Sequence, residues 1–205
     1  MSWTPSFRAL KTEQLAPGMT VGLFGGSFDP VHAGHVHAAE TAKRALGLDR
    51  VWWIVSPQNP LKSHAPGEYR HRLAAVRQAA SAPGMVVSDV EARFGVNRTA
   101  DLLEHLIGRH RRVKFVWIMG ADSLGGFHRW ARWREIVQAV PICVIARPGY
   151  AVAARFAKAA RLYRHAFIPE TRARALPFQP APCWTYLTET FHAHASSAIR
   201  ARAAC

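Results

Sequence analysis

The chain is poor in acidic residues and in cysteine, and it has no long apolar run. There are 13 Asp and Glu against 27 Lys and Arg, a formal net charge of +14. The three cysteines, Cys143, Cys183 and Cys205, are scattered and include no C-x-x-C. That argues against a disulfide framework or a cysteine zinc site and suits a reducing compartment. No apolar stretch approaches the roughly 18–20 residues of a membrane span, and the first residues lack the apolar core of a secretion signal. The expectation is therefore a cytoplasmic protein with no membrane partner. Two common phosphate loops are missing as well. There is no G-x-x-x-x-G-K-[ST], and Gly22, Gly25 and Gly26 do not fit G-x-G-x-x-G.

What is present describes a folded chain. Apolar residues make up 49% of the 205 and charged residues 20%, a globular balance. The length suits one domain with its own core. No repeat, low-complexity tract or linker divides it. Residues 1–18, with Pro5, Pro17 and Gly18, read as an N-terminal extension, and 19–205 as the domain. The net charge has two readings: a polyanionic ligand, or arginines that are simply solvated. The arginines are spread along the chain, so charge alone does not choose between them.

The informative stretch is Val21 to His35. It opens as a short apolar run, the pattern of a buried parallel strand. Gly25, Gly26 and Ser27 follow, where backbone can turn and a ligand can come close. Asp29-Pro30 then signals a helix start, before an alanine-rich helix from about His32 to Leu46. Strand, glycine turn and helix N-terminus in that order make an anion site. His32 and His35, three apart, share one helix face. Their imidazoles can donate to phosphate and, when protonated, bring positive charge. With His37 they could instead form a metal cluster, but zinc needs three or four converging ligands and no cysteine lies nearby to complete the set.

Farther along, the pattern predicts strands at 19–24, 51–55, 85–90, 113–119, 141–146 and 184–187. Helices are predicted at 68–80, 99–107 and 151–162, partly over 124–139, and from Ser196 onward, with a loop at 91–98. Thr99 is expected as an N-cap and Gly108 as a terminator. Trp52, Trp53, Trp117 and Trp133 read as packing. Strands alternating with helices imply an α/β fold, a Rossmann-like, doubly wound parallel sheet with helices on both faces. Ligands then bind beyond the carboxyl ends of the strands. Gly25, Gly26, Ser27, Lys62, Thr99, Gly120, Asp122 and Arg147 are all expected in loops directly after strands.

The run Gly25-Gly26-Ser27-Phe28-Asp29-Pro30-x-His32-x-Gly34-His35 resembles the H-x-G-H signature of the nucleotidyltransferases, in the longer form found in bacterial nicotinate-nucleotide adenylyltransferases. Further blocks agree in order. Asn59-Pro60-Leu61-Lys62 is similar to that family's N-P-x-K loop. Ile118-Met119-Gly120-Ala121-Asp122-Ser123-Leu124, with Trp130, is similar to its I-x-G-x-D-x-L…W block. Arg147-Pro148-Gly149 resembles its R-P-G segment, and Ser196-Ser197-Ala198-Ile199-Arg200 its closing S-S-T-x-[IL]-R motif. Two blocks depart from the pattern: the closing block has Ala195 where the family has an aliphatic residue and lacks the threonine, and Arg98-Thr99 stands where the family usually has Tyr-Thr.

The resemblance implies adenylyl transfer from ATP to nicotinate mononucleotide, giving deamido-NAD and pyrophosphate, with Mg²⁺ arriving on ATP. It implies His32, His35 and Arg200 as catalytic residues, the imidazoles on the α-phosphate and Arg200 on the leaving pyrophosphate. Gly25, Gly26, Ser27, Phe28, Ser196 and Ser197 would complete the ATP site. Lys62, Thr99, Gly120, Asp122, Trp130 and Arg147 would bind the mononucleotide, with Trp130 stacked on the pyridine ring and Asp122 on ribose hydroxyls. No resident metal site is expected. Alternatives are transfer to nicotinamide mononucleotide or phosphopantetheine, or a basic nucleic-acid-binding protein, which would leave the ordered motifs unexplained.

Overall fold

A computed structural model describes residues 13–57, 67–146 and 156–188. Seven parallel strands form one sheet in the order β3-β2-β1-β4-β5-β7-β6. They are β1 (Thr20–Gly26), β2 (Arg50–Val55), β3 (Met85–Ser88), β4 (Lys114–Gly120), β5 (Ile142–Ile145), β6 (Phe167–Ile168) and β7 (Trp184–Leu187). Between β1 and β4 the order of connection reverses, so crossovers run outward on either side and leave a crevice at the carboxyl ends of these two strands.

The central strands are buried almost without a polar break, as a sheet covered on both sides requires. One face packs on α1 (Ala33–Leu46), α2 (Tyr69–Ala79) and the 3₁₀ segment Glu170–Phe178 through Phe24, Trp53, Ile118 and Ile145. The other packs on α3 (Val90–Phe94), α4 (Thr99–Arg109), α5 (Ala121–Gly126), α6 (Trp133–Ala139) and α7 (Lys158–Leu162) through Leu23, Trp52, Trp117 and Val144. Trp52, Trp53, Trp117 and Trp133 are all buried, as their strand and helix positions led one to expect. Cys143 and Cys183 are free thiols, and burial pushes the Cys143 thiol far above its ordinary range.

Several boundaries differ from the sequence pattern. Residues 91–98 are not simply a loop. Asp89 is the N-cap residue of α3, where the Val90 N–H donates to the Ser88 hydroxyl at 3.2 Å, and the helix closes on Gly95 in the left-handed region at φ 65°. Arg98, in extended backbone, is the N-cap of α4, and Thr99 is its first helical residue. Gly108 does not end that helix, which runs on to Arg109. Docking of Leu102, Leu103 and Leu106 outweighs the roughly 1 kcal/mol that an interior glycine costs. The helix expected over 151–162 is formed within the described residues at Lys158–Leu162, capped by Ala157. β6 and the 3₁₀ segment lie in a stretch without periodic signal.

The described part of the N-terminal segment, from Glu13 on, is tied to the body. Glu13 is buried, accepts from the Ser88 hydroxyl and pairs with Arg93, which also holds Asp89 at 2.6 Å. Among the described residues no helix is long and apolar enough to cross a membrane.

Candidate active site

Gly25 and Gly26 are not in a loop: they are the last two residues of β1, paired with Ile54 and Val55 of β2. Nor is the side-chain space at these glycines open to a ligand. A Cβ on Gly25 would meet Trp117 Cη2 at 2.6 Å, and one on Gly26 would meet Phe28 Cζ at 3.1 Å. Glycine is required here because aromatic rings occupy the volume. The turn itself is made by Phe28, buried and held at φ 46°, which is unusual for a residue with a side chain.

His32 is the N-cap of α1, and His35 is its third helical residue. The Gly34 N–H donates to His32 Nδ1 at 3.1 Å, and the His32 N–H donates to His35 Nδ1 at 3.3 Å. The pair is thus a capping box built from two imidazoles in place of Ser and Glu. Its chemical consequence lies in the tautomers. With each Nδ1 accepting, the neutral rings carry their protons on Nε2 and act as donors there. The rings lie 3.8 Å apart between centroids, and His35 rests against Phe28 at 5.1 Å. His37, on the same helix, lies 3.4 Å from the Thr41 hydroxyl.

Across the switch point, Gly120 ends β4 and Asp122 lies exposed in the first turn of α5. Trp130 is half-buried, edge-on to Trp117 at 6.2 Å and to Phe127 at 5.2 Å. Arg132, at φ 56°, pairs with Asp101 and Glu104 of α4 and with Glu135. It thereby joins the segment after Trp130 to the helix that begins at Thr99. The indole of Trp117, in contact range of both Gly25 and Trp130, connects the two sides of the crevice. Lys62, Arg147, Ser196, Ser197 and Arg200 lie outside the described residues.

Two buried charged residues at this end of the sheet escaped the sequence reading. Arg72 of α2, 4% exposed, donates to the carbonyl oxygens of Ser27 and Ser56 at 2.7 and 2.8 Å and of Gly67 and Pro57 at 2.9 Å. Its position was legible in the spacing, since 69, 72, 73 and 76 form one helical face. Glu91, 5% exposed, has its carboxyl pushed up to about 7 by burial, partly offset by a hydrogen bond from Ser56. The pairing of Asp89 with Gly95 around Glu91 would have signalled its short helix.

Comparison with known proteins decides the family. Residues 23–202 match the cytidylyltransferase-like family model. A Caulobacter sp. (strain K31) protein named "Probable nicotinate-nucleotide adenylyltransferase" is 52% identical over 185 residues, 90% of this chain and 98% of its own length. A protein of the same name from Parvibaculum lavamentivorans is 47% identical, over 94% and 96%. The chain belongs to the nicotinate-nucleotide adenylyltransferase family. Its fold is that of the Plasmodium falciparum nicotinic acid mononucleotide adenylyltransferase complexed with NaAD, at a TM-score of 0.68 and 18% identity, covering 89% of this chain and 83% of that one. The same parasite enzyme complexed with APC superposes at 0.65. Within the family framework the paired histidines fall on the H-x-G-H signature, and Trp130 follows the G-x-D block.

Proposed function

We propose that the protein transfers the adenylyl group of Mg·ATP to nicotinate mononucleotide, releasing pyrophosphate and forming deamido-NAD. The observation that carries this reading is the imidazole capping box, which supports two Nε2–H donors at the end of β1 beside the switch point. The mononucleotide's phosphate oxygen attacks the α-phosphorus in line and pyrophosphate leaves. A phosphate monoester is already a competent nucleophile, so the protein's task is positioning and charge neutralisation.

His32 and His35 hold the α-phosphate and its developing charge. The Gly25–Phe28 backbone flanks them, and the α1 N-terminus adds a favourable dipole. Ser196 or Ser197 takes the β- and γ-phosphates, and Arg200 stabilises the leaving pyrophosphate. On the other side, Asp122 accepts ribose hydroxyls and Trp130 stacks on the pyridine. Thr99, Gly120, Lys62 and Arg147 complete the mononucleotide contacts.

Pyrophosphate release measured with ATP plus nicotinate mononucleotide, nicotinamide mononucleotide or phosphopantetheine tests the reading. Release is expected to be fastest with nicotinate mononucleotide. Release with phosphopantetheine alone, or with no acceptor, would overturn it.

A further inference from the structure

Buried arginines ordinarily face carboxylates, because an unpaired buried charge is expensive. Arg72 instead gives its N–H groups to four neutral carbonyls drawn from three separate segments: Ser27 after β1, Ser56 and Pro57 after β2, and Gly67 ahead of α2. Asp29 is its principal charged neighbour and also accepts from the Gly67 N–H at 3.3 Å; the Tyr69 ring lies 5.4 Å from the guanidinium carbon. An apolar side chain would satisfy this face of α2 at lower cost in desolvation. What a guanidinium adds is direction.

In a trans peptide the carbonyl and the following N–H point opposite ways. The Ser27 oxygen, held by Arg72, therefore turns the Phe28 N–H away from the clasp. One residue earlier, the Ser56 N–H donates to the Gly26 oxygen at 2.9 Å, which aims the Ser27 N–H away from Ser56. Ser56 is itself fixed three ways: by this N–H, by its carbonyl on Arg72, and by its hydroxyl on Glu91. Two successive backbone donors beside His35 thus owe their orientation to anchors on their far side.

We propose that Arg72 is a positioning residue for adenylyl transfer, aiming the Ser27 and Phe28 N–H groups at the phosphates of ATP. The proposal rests on the reaction inferred above. Lysine keeps the charge but presents it at one point and cannot span four carbonyls. Arg72→Lys should lower kcat at least tenfold while the KM for the mononucleotide changes less than about threefold. Adding guanidinium ion at millimolar concentration to Arg72→Ala should restore part of the turnover, and methylammonium should not. Should the alanine variant fail to fold, the lysine variant carries the test.

Hydrogen exchange supplies a readout independent of activity. Peptides spanning 24–28 and 54–57 should exchange faster in Arg72→Lys at an otherwise unchanged global pattern. Full turnover per folded molecule in Arg72→Lys, or unchanged exchange in 24–28, would overturn the proposal. A wild-type protein that releases no pyrophosphate would overturn the reaction itself, and the exchange result would still report whether Arg72 holds the turn.

Discussion

The Trp117 indole lies against the Cα of Gly25, so close that a methyl group there would sit 2.6 Å from Cη2. The ring is buried on its remaining sides and meets Trp130 edge-on at 6.2 Å. A change at Gly25 must therefore move a ring that in turn supports Trp130. Gly25→Ala is expected to cost about 1–3 kcal/mol, the usual price of overpacking a core, and to raise the KM for the mononucleotide. Trp117→Phe added to it should recover part of the melting temperature, because the smaller ring vacates the contested volume. A double variant no more stable than Gly25→Ala alone would show that the contact is not what makes glycine necessary.

The two histidines carry a structural and a chemical duty that substitutions can separate. His32→Ala removes the acceptor for the Gly34 N–H and should cost roughly 1 kcal/mol. Asn at the same position restores the cap. His35→Ala should lower turnover by about 10²–10³, as loss of one preorganised donor does. His35→Gln reproduces the residue preferred at this place in a capping box, so it should recover thermal stability without recovering turnover. Recovery of both together would assign His35 to the helix and not to the reaction.

Glu91 makes stability depend on pH in a defined direction. Its carboxyl titrates near 7 in the folded protein, against 4.5 for the free side chain, chiefly through burial. Between those values the unfolded chain has released a proton that the folded one retains, so stability falls as pH rises from about 4.5 to about 7. The full effect is on the order of 3 kcal/mol. Glu91→Gln keeps an acceptor for Ser56 and abolishes the titration. Its melting temperature should match the wild type near pH 4.5 and exceed it at pH 8. Parallel stability profiles for the two proteins would show that the carboxyl ionises without penalty.

The sheet was legible because a strand covered on both faces is apolar throughout, and Val51–Val55 and Val113–Met119 are nearly so. The helix after β1 was legible from its alanines and its start signal. The roles of Gly25 and Gly26 were only half legible. Sequence marks them as glycines but does not say whether a ligand or a ring fills the missing volume, since Trp117 lies ninety-two residues away. The spacing could place Arg72 on the buried face of its helix, but what it binds was hidden for a related reason: its partners are backbone carbonyls, which leave no trace in residue types. Thr99 was displaced by one because Arg98 could adopt the extended backbone that an N-cap needs, and no side-chain hydrogen bond marks the cap.

The metal prediction follows from the oxygen donors that ATP itself brings. Among the described residues no three His, Cys, Asp or Glu side chains are arranged to hold an ion. Magnesium prefers phosphate and water oxygens and is expected to enter on ATP. Excess EDTA should abolish pyrophosphate release, and added Mg²⁺ should restore it fully. Stoichiometric zinc in active protein, resistant to dialysis, would place a resident metal on the histidines instead.

Substrate choice turns on Trp130 and its surroundings. A nicotinate carboxylate differs from the nicotinamide amide by one negative charge and by the loss of two donors. A pocket that offers N–H groups satisfies the acid but sets the amide NH₂ against other donors, a mismatch costing more than about 1 kcal/mol when buried. Arg132 ties the segment after Trp130 to Asp101 in the first turn of α4, the helix that Thr99 begins, so Trp130 and that N-terminus belong to adjoining elements. Arg98, at the N-cap position of that helix, is exposed, so the preference is expected to come from N–H groups rather than from its charge. A preference for nicotinate mononucleotide of at least about tenfold is expected, roughly 1.4 kcal/mol. Trp130 packs near-perpendicular to Trp117 and Phe127, contacts that fix the plane of its ring. Trp130→Ala should therefore raise the KM for the mononucleotide far more than that for ATP, with Trp130→Phe intermediate. Equal efficiency on both mononucleotides, or a Trp130→Ala defect confined to ATP, would place the pyridine ring in a different pocket.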